Sequence, residues 1–180
     1  MLKLHVGCGE RYLPGYVHVD SRKLPRVDVV CDVESLLEHF GPASVGEIYH
    51  CALLEHLPRD RVLPALRRFH YLLKPGGRLV SSVPNFASIV EAYRRRIVPL
   101  EGLFGMLYGK SDYPGNMHHG MFDFDLMLGL LAKSGFVRAG LYDWRTFLPE
   151  GYDDFSRAYM PHMDFENGMP MMLNVMADKQ

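Results

Sequence analysis

The fold turns on residues 4–20, LHVGCGERYLPGYVHVD. One apolar run, Leu4 to Val6, stops at Gly7-Cys8-Gly9, and a second, from Tyr16, ends on Asp20. Short apolar runs set apart by turn-forming residues read as neighbouring strands. Gly7 and Gly9 lack side chains, so the main chain can approach a ligand closely at the end of the first strand. In an open parallel sheet ligands lie beyond the carboxyl ends of the strands, where Asp20 can accept hydrogen bonds from both hydroxyls of a ribose. A tight turn and an ordinary solvated acid account for the same residues.

The residues between the two runs bear on which nucleotide is meant. A dinucleotide site wants a third glycine leading into a helix whose N-terminus faces the diphosphate. Here that position is Tyr12, and Glu10 sets a negative charge near the phosphates. Both residues count against a nicotinamide-dependent oxidoreductase. With Pro14 and Gly15 before Tyr16, the connection holds a turn of helix at most. Parallel strands usually need a crossover of about a dozen residues, so this one is unusually short. The pocket suits a ribose without a diphosphate, as in the zwitterionic nucleoside S-adenosylmethionine.

Outward from this stretch, 180 residues with 48% apolar content predict one domain, residues 1–180. Strands are predicted at 2–6, 16–20, 27–32, 47–51, 78–83, 136–143 and 171–177, alternating with helical periodicity, the pattern of an α/β fold with a parallel sheet. Val62, Leu66, Phe69 and Leu73 share one helix face ended by KPGG. Phe86, Ile89, Val90, Tyr93 and Ile97 form a second apolar stripe with Asn85 as N-cap. Asp123 caps a third helix, with Phe122 and Met127 as its staple and Gly135 closing it. All these apolar residues are expected in the core. Segments 99–121, with five glycines and two prolines, and 144–170, rich in aromatics, fit no element and are expected to act as lids.

A net charge of −1 gives no general attraction for polyphosphate, so nucleic acid is not expected as a partner. The basic run Arg94 to Arg96 reads as a solvated helix face. Three cysteines without paired short spacing, no secretion-signal pattern and no membrane-length apolar run predict a cytoplasmic protein without a membrane partner.

Taken together the sequence resembles the class I S-adenosylmethionine-dependent methyltransferases, within them the small, type 11-like group with a Gly-Cys-Gly first motif. The likeness runs from LHVGCGERYLPGYVHVD through CDVESL, GEIYHCALLEHLPRD, FHYLLKPGGRLVSSVPN and HHGMFDFDLMLGLLAKSGF, covering residues 2–143. It implies a Rossmann-like, mostly parallel sheet of seven strands in the order 3-2-1-4-5-7-6, the last antiparallel, with a shortened first helix. It implies also that Gly7, Cys8 and Gly9 approach the methionine part of the cofactor, that Asp20 with Ser21 holds the ribose, and that Asp32 and Val33 lie by the adenine. Cys51 falls near the methionine moiety. Ala52 stands where a His is expected, whereas Glu55 and His56 keep the LEH pattern.

Methyl transfer from a sulfonium needs alignment more than a catalytic group. For a hydroxyl acceptor a general base helps, and the candidates are His56, His118 and His119. His56 also fits as a helix-start residue bonding a local main-chain group. Metal binding by His118 and His119 is not expected, since sequence neighbours point apart in extended chain and no third ligand stands out. The expected activity is methylation of a small-molecule or glycan-type acceptor. A methyltransferase-like binding module or partner subunit without turnover is the alternative, prompted by Ala52.

Overall fold

Alternation decides which way the first strands face. The computed structural model describes residues 1–110 and 112–180, apart from the side chain of Pro114. In β1 (Lys3–Val6), Leu4 and Val6 enter one hydrophobic cluster together with Val19 of β2 (Val17–Asp20). His5 and His18 therefore turn to the other face, where their rings lie 5.7 Å apart.

The remaining strands are β3 (Val29–Val30), β4 (Val45–Cys51), β5 (Leu73–Pro84), β6 (Val137–Leu141), β7 (Tyr159–Met160), β8 (Met169–Pro170) and β9 (Met172–Asp178). Seven form one sheet in the order β3-β2-β1-β4-β5-β9-β6, while β7 and β8 pair as a separate ribbon. With the ribbon set aside, this is the order 3-2-1-4-5-7-6. The last strand runs antiparallel to both neighbours and the other pairs are parallel. The connections diverge between β1 and β4, so Gly7 and Cys51 end adjacent strands at the switch point.

Two boundaries differ from the sequence reading for local reasons. The strand expected at 27–32 shrinks to two residues, and Asp28 spends its carboxylate on the amide of His18, 2.8 Å away. β5 begins five residues early, because Leu73 pairs with Val45 before the KPGG bend and pairing resumes at Arg78. Gly76 takes φ +76° in that bend and donates to the carbonyl of Lys179 at 2.8 Å.

The helices are α1 (Leu36–His39), α2 (Arg59–Leu72), α3 (Phe86–Arg94), α4 (Phe104–Tyr108), α5 (Phe124–Lys133) and α6 (Trp144–Phe147). On one face of the sheet α2 buries Val62, Leu66 and Phe69, and α5 buries Met127 and Leu131. Asp123 caps α5 by accepting from Leu126 at 2.9 Å, with Phe122 buried just before it. No helix of the described residues is long and apolar enough to cross a membrane.

On the opposite face no helix follows β1. A turn takes its place, with Arg11 bonded to Cys8 and Tyr16 to Leu13 through the main chain. Segment 144–170 supplies the missing cover: Leu148 and Tyr152 pack with Leu13, Tyr49, Cys51, Val80 and Met172. Polar groups fix it there. Tyr49 donates to Asp154, Asp154 accepts from the Ser156 amide at 2.9 Å, and Asn174 joins the Ser156 carbonyl to the hydroxyl of Ser82.

The stripe predicted on α3 divides differently. Ile89 and Ala92 are buried against Leu103 and Met171, while Phe86, Val90 and Tyr93 are 42%, 48% and 57% exposed. Leu103 of segment 99–121 packs on the Ile89 side, and Phe86, Val90 and Tyr93 face solvent. Arg94 lies 2.7 Å from Glu91 on the exposed surface, as a solvated face requires.

Candidate functional site

The corner after β1 is built by two left-handed glycines, Gly7 at φ +67° and Gly9 at φ +57°. The amides of Gly7 and Cys8 both donate to Val19, at 2.8 and 3.1 Å, which ties the corner to the end of β2. Gly7 is also crowded: a Cβ there would stand 2.9 Å from Leu53 Cδ1, on the segment following β4. Glycine is needed for both reasons.

Asp20 lies under this corner, 6% exposed. Its Oδ2 accepts from the Gly9 amide at 2.8 Å, and its Oδ1 accepts from the amide and Nε of Arg22 at 2.9 and 3.1 Å. The Arg22 guanidinium continues over the ring of Tyr113, 4.9 Å from its centroid, so one side chain links Asp20 to segment 99–121. The arginine side chain is 41% exposed, whereas its amide contact to Oδ1 belongs to the main chain.

The other expected cofactor residues divide. Ser21 is exposed beside Asp20. Asp32 is exposed as well and closes a turn by accepting from the Ser35 amide at 2.8 Å. Val33 is 6% exposed and packs in the core cluster with Leu36, just before α1. Cys51 ends β4 at the switch point, but its thiol is buried and held far above its ordinary range by that burial, with Asp154 and Glu55 adding to it. Burial, reinforced by Asp20, pushes the Cys8 thiol up to about 12. Neither thiol is poised as a nucleophile.

The fold brings two of the three histidines together. His56 ends a 3₁₀ turn, Leu54–His56, directly after β4. Its Nδ1 lies 3.2 Å from the carbonyl of Met117, a partner far along the chain in place of the local one expected. His118 places its own Nδ1 2.9 Å from Met106 O, and the two rings meet edge to face at 4.8 Å. Burial lowers the pKa of both. His119 turns outward and is exposed, while its amide fastens the segment to Glu55 O at 2.7 Å.

Sequence reasoning passed over the third member of this group. Glu55 is 0% exposed and neither carboxylate oxygen has a hydrogen-bond partner among the described residues. Burial raises its pKa to about 8, although the nearby amides of Leu53 and Glu55, outside hydrogen-bonding geometry, offset part of that cost. Ligand atoms of Glu55, His56 and His118 all lie within 4.8 Å of one another. The signal was an acid set inside the apolar run LLEHL. Ala52, at the departure from the expected His, holds φ +54°, a left-handed conformation unusual for alanine.

Two surface cavities, of about 380 and 290 Å³, lie along segment 144–170, the first between Tyr12 and Tyr152 and the second beside Trp144 and Arg157. Asp20 and the histidines line neither.

No family model matches the chain, and no curated protein matches it. Solved structures do. An S-adenosylmethionine-dependent methyltransferase from Archaeoglobus fulgidus superimposes with a TM-score of 0.60 at 15% identity, over 98% of this chain and 85% of the other. One from Mesorhizobium loti gives 0.59 at 19% identity, over 99% and 90%. The 1,6-didemethyltoxoflavin-N1-methyltransferase of Burkholderia thailandensis, bound to 1,6-didemethyltoxoflavin and S-adenosylhomocysteine, gives 0.57 at 19%, over 99% and 71%. The chain therefore has the Rossmann-like fold of the class I methyltransferases.

Proposed function

We propose that the protein is an S-adenosylmethionine-dependent methyltransferase of the Gly-Cys-Gly, type 11-like group, acting on a small-molecule or sugar-containing acceptor. Asp20 carries this proposal. It is a buried carboxylate at the end of β2, bonded to the corner that closes β1, beside the switch point where ligands of open α/β sheets sit. The ribose takes the place of Arg22 on Asp20, Gly7, Cys8, Gly9 and Cys51 flank the amino-acid tail, and Ser21 and Asp32 lie toward the nucleoside. When bound, the cofactor supplies an electrophilic methyl group. The chain holds acceptor, carbon and sulfur in line, and His56 or His118, kept neutral by burial, takes the proton of a hydroxyl acceptor. The acceptor class rests on the resemblance, with the small molecule held by the Burkholderia thailandensis enzyme in support. Three free thiols suit a reducing, cytoplasmic compartment.

One observation favours the second reading, a methyltransferase-like module without turnover. Arg22 already occupies Asp20. Titration with S-adenosylhomocysteine, followed by labelled cofactor offered with a cell extract, separates the two. An enzyme binds at micromolar level and labels a small molecule; weak or absent cofactor binding, or binding with no label in any fraction, supports the module.

A further inference from the structure

We propose that Glu55, His56 and His118 bind one divalent transition-metal ion. Three separate features converge on this. First, the Glu55 carboxylate is wholly buried without a hydrogen-bond partner among the described residues, and a carboxylate ionised in such a place needs a paired charge or a metal. Second, both imidazoles spend Nδ1 on main-chain carbonyls, Met117 for His56 and Met106 for His118. An Nδ1–H bonded in this way leaves Nε2 with its lone pair, the arrangement by which carbonyls orient metal-ligating histidines. Third, the three ligand atoms lie within 4.8 Å of one another. Ligands about 2.1 Å from an ion stand roughly 3 to 3.5 Å apart, so small side-chain rotations close the site. His56 and His118 are half-buried and give a path from solvent.

The fold also holds the third ligand in place from outside. Gly109 takes φ +73° and bridges to Met117, and a Cβ on it would stand 2.9 Å from the His118 ring. Two imidazoles and one carboxylate suit manganese, iron, cobalt, nickel or zinc better than magnesium or calcium, which prefer all-oxygen sites. Three protein ligands leave at least one coordination position open. On the methyl-transfer proposal, an acceptor hydroxyl takes that position, where the ion lowers its pKa and its proton passes to solvent, and His56 and His118 then act as ligands in place of bases; this last step alone rests on that proposal.

The test is binding of cobalt(II) to the chelator-treated full chain, read as visible d–d absorption, with zinc(II) calorimetry beside it. One ion per chain is expected. Glu55→Gln and His118→Ala should each weaken binding by at least about 10- to 100-fold, with the fold monitored by circular dichroism. His119→Ala should leave affinity and spectrum unchanged. Absence of binding, or equal loss in His119→Ala, overturns the proposal, the latter by marking a surface histidine pair. His118→Ala carries the test if Glu55→Gln does not fold. S-adenosylhomocysteine affinity of the metal-free chain, measured alongside, reports on Asp20 alone and keeps failure of the two proposals apart.

Discussion

Arg22 grips Asp20 twice, its amide 2.9 Å and its Nε 3.1 Å from the same oxygen, Oδ1. The same guanidinium stacks on Tyr113, so the acid at the end of β2 and the segment before α5 are joined through one exposed side chain. A ligand that claims Oδ1 must break this contact, and in doing so it releases Tyr113.

Removing the arginine side chain should therefore help such a ligand. The Arg22 end of the pair is partly exposed, which holds its contribution to about 0.2 to 1 kcal/mol, so Arg22→Ala is expected to tighten S-adenosylhomocysteine by up to about fivefold. Isothermal titration measures it. Weaker binding in the variant would make Arg22 a ligand contact instead of a competitor.

Asp154 is the anchor of the cover over the sheet. Asp154→Ala leaves the Tyr49 hydroxyl and the Ser156 amide buried without their acceptor. A loss of about 2 to 6 kcal/mol is expected, since each of the two stranded donors costs about 1 to 3 kcal/mol. Urea unfolding of parent and variant gives the difference.

His50 is 0% exposed, neither ring nitrogen has a partner among the described residues, and burial lowers its pKa to about 3. The folded chain then binds fewer protons there than the unfolded chain between about pH 6.5 and 3, so stability falls as acid is added across that window. His50→Leu should remove up to about 1.4 kcal/mol per pH unit of this slope. At pH 7 it should match or exceed the parent, because an unpaired buried polar ring is replaced by an apolar one. Chemical unfolding at several pH values checks both signs. His5, lowered to about 3 by burial and by His18 and His50, adds to the slope in the same direction.

Gly109→Ala should loosen one segment and little else. Its Cβ would fall 2.0 Å from the Asn116 carbonyl, so the pairing with Met117 must open. Faster amide exchange at His118 with an almost unchanged midpoint of global unfolding is the expected pair of results.

The seven sheet strands and the caps at Asn85 and Asp123 were legible because each rests on a local pattern that the sheet reinforces, whereas the strand order followed only from the resemblance. The α3 stripe was misread because periodicity says that a residue belongs to an apolar face, not whether anything covers it: Val90 is exposed, while Ile89 packs against Leu103. Segment 144–170 replaces a helix by tertiary contacts at Tyr49 and Met172, invisible to local pattern. Glu55 meets His118 through a main-chain bond to His119 and the contact of His56 with Met117, both far along the chain, and no spacing rule anticipates them.

The most direct test of the Asp20 proposal is a binding cycle with S-adenosylhomocysteine and its 2′-deoxy analogue on the parent and Asp20→Ala. If the carboxylate holds the ribose, loss of the hydroxyl costs the parent about 10- to 100-fold, as a charged hydrogen bond of about 1.5 to 3 kcal/mol requires, and costs Asp20→Ala almost nothing. Equal affinity of the parent for both ligands, or the same hydroxyl penalty in both proteins, would contradict it.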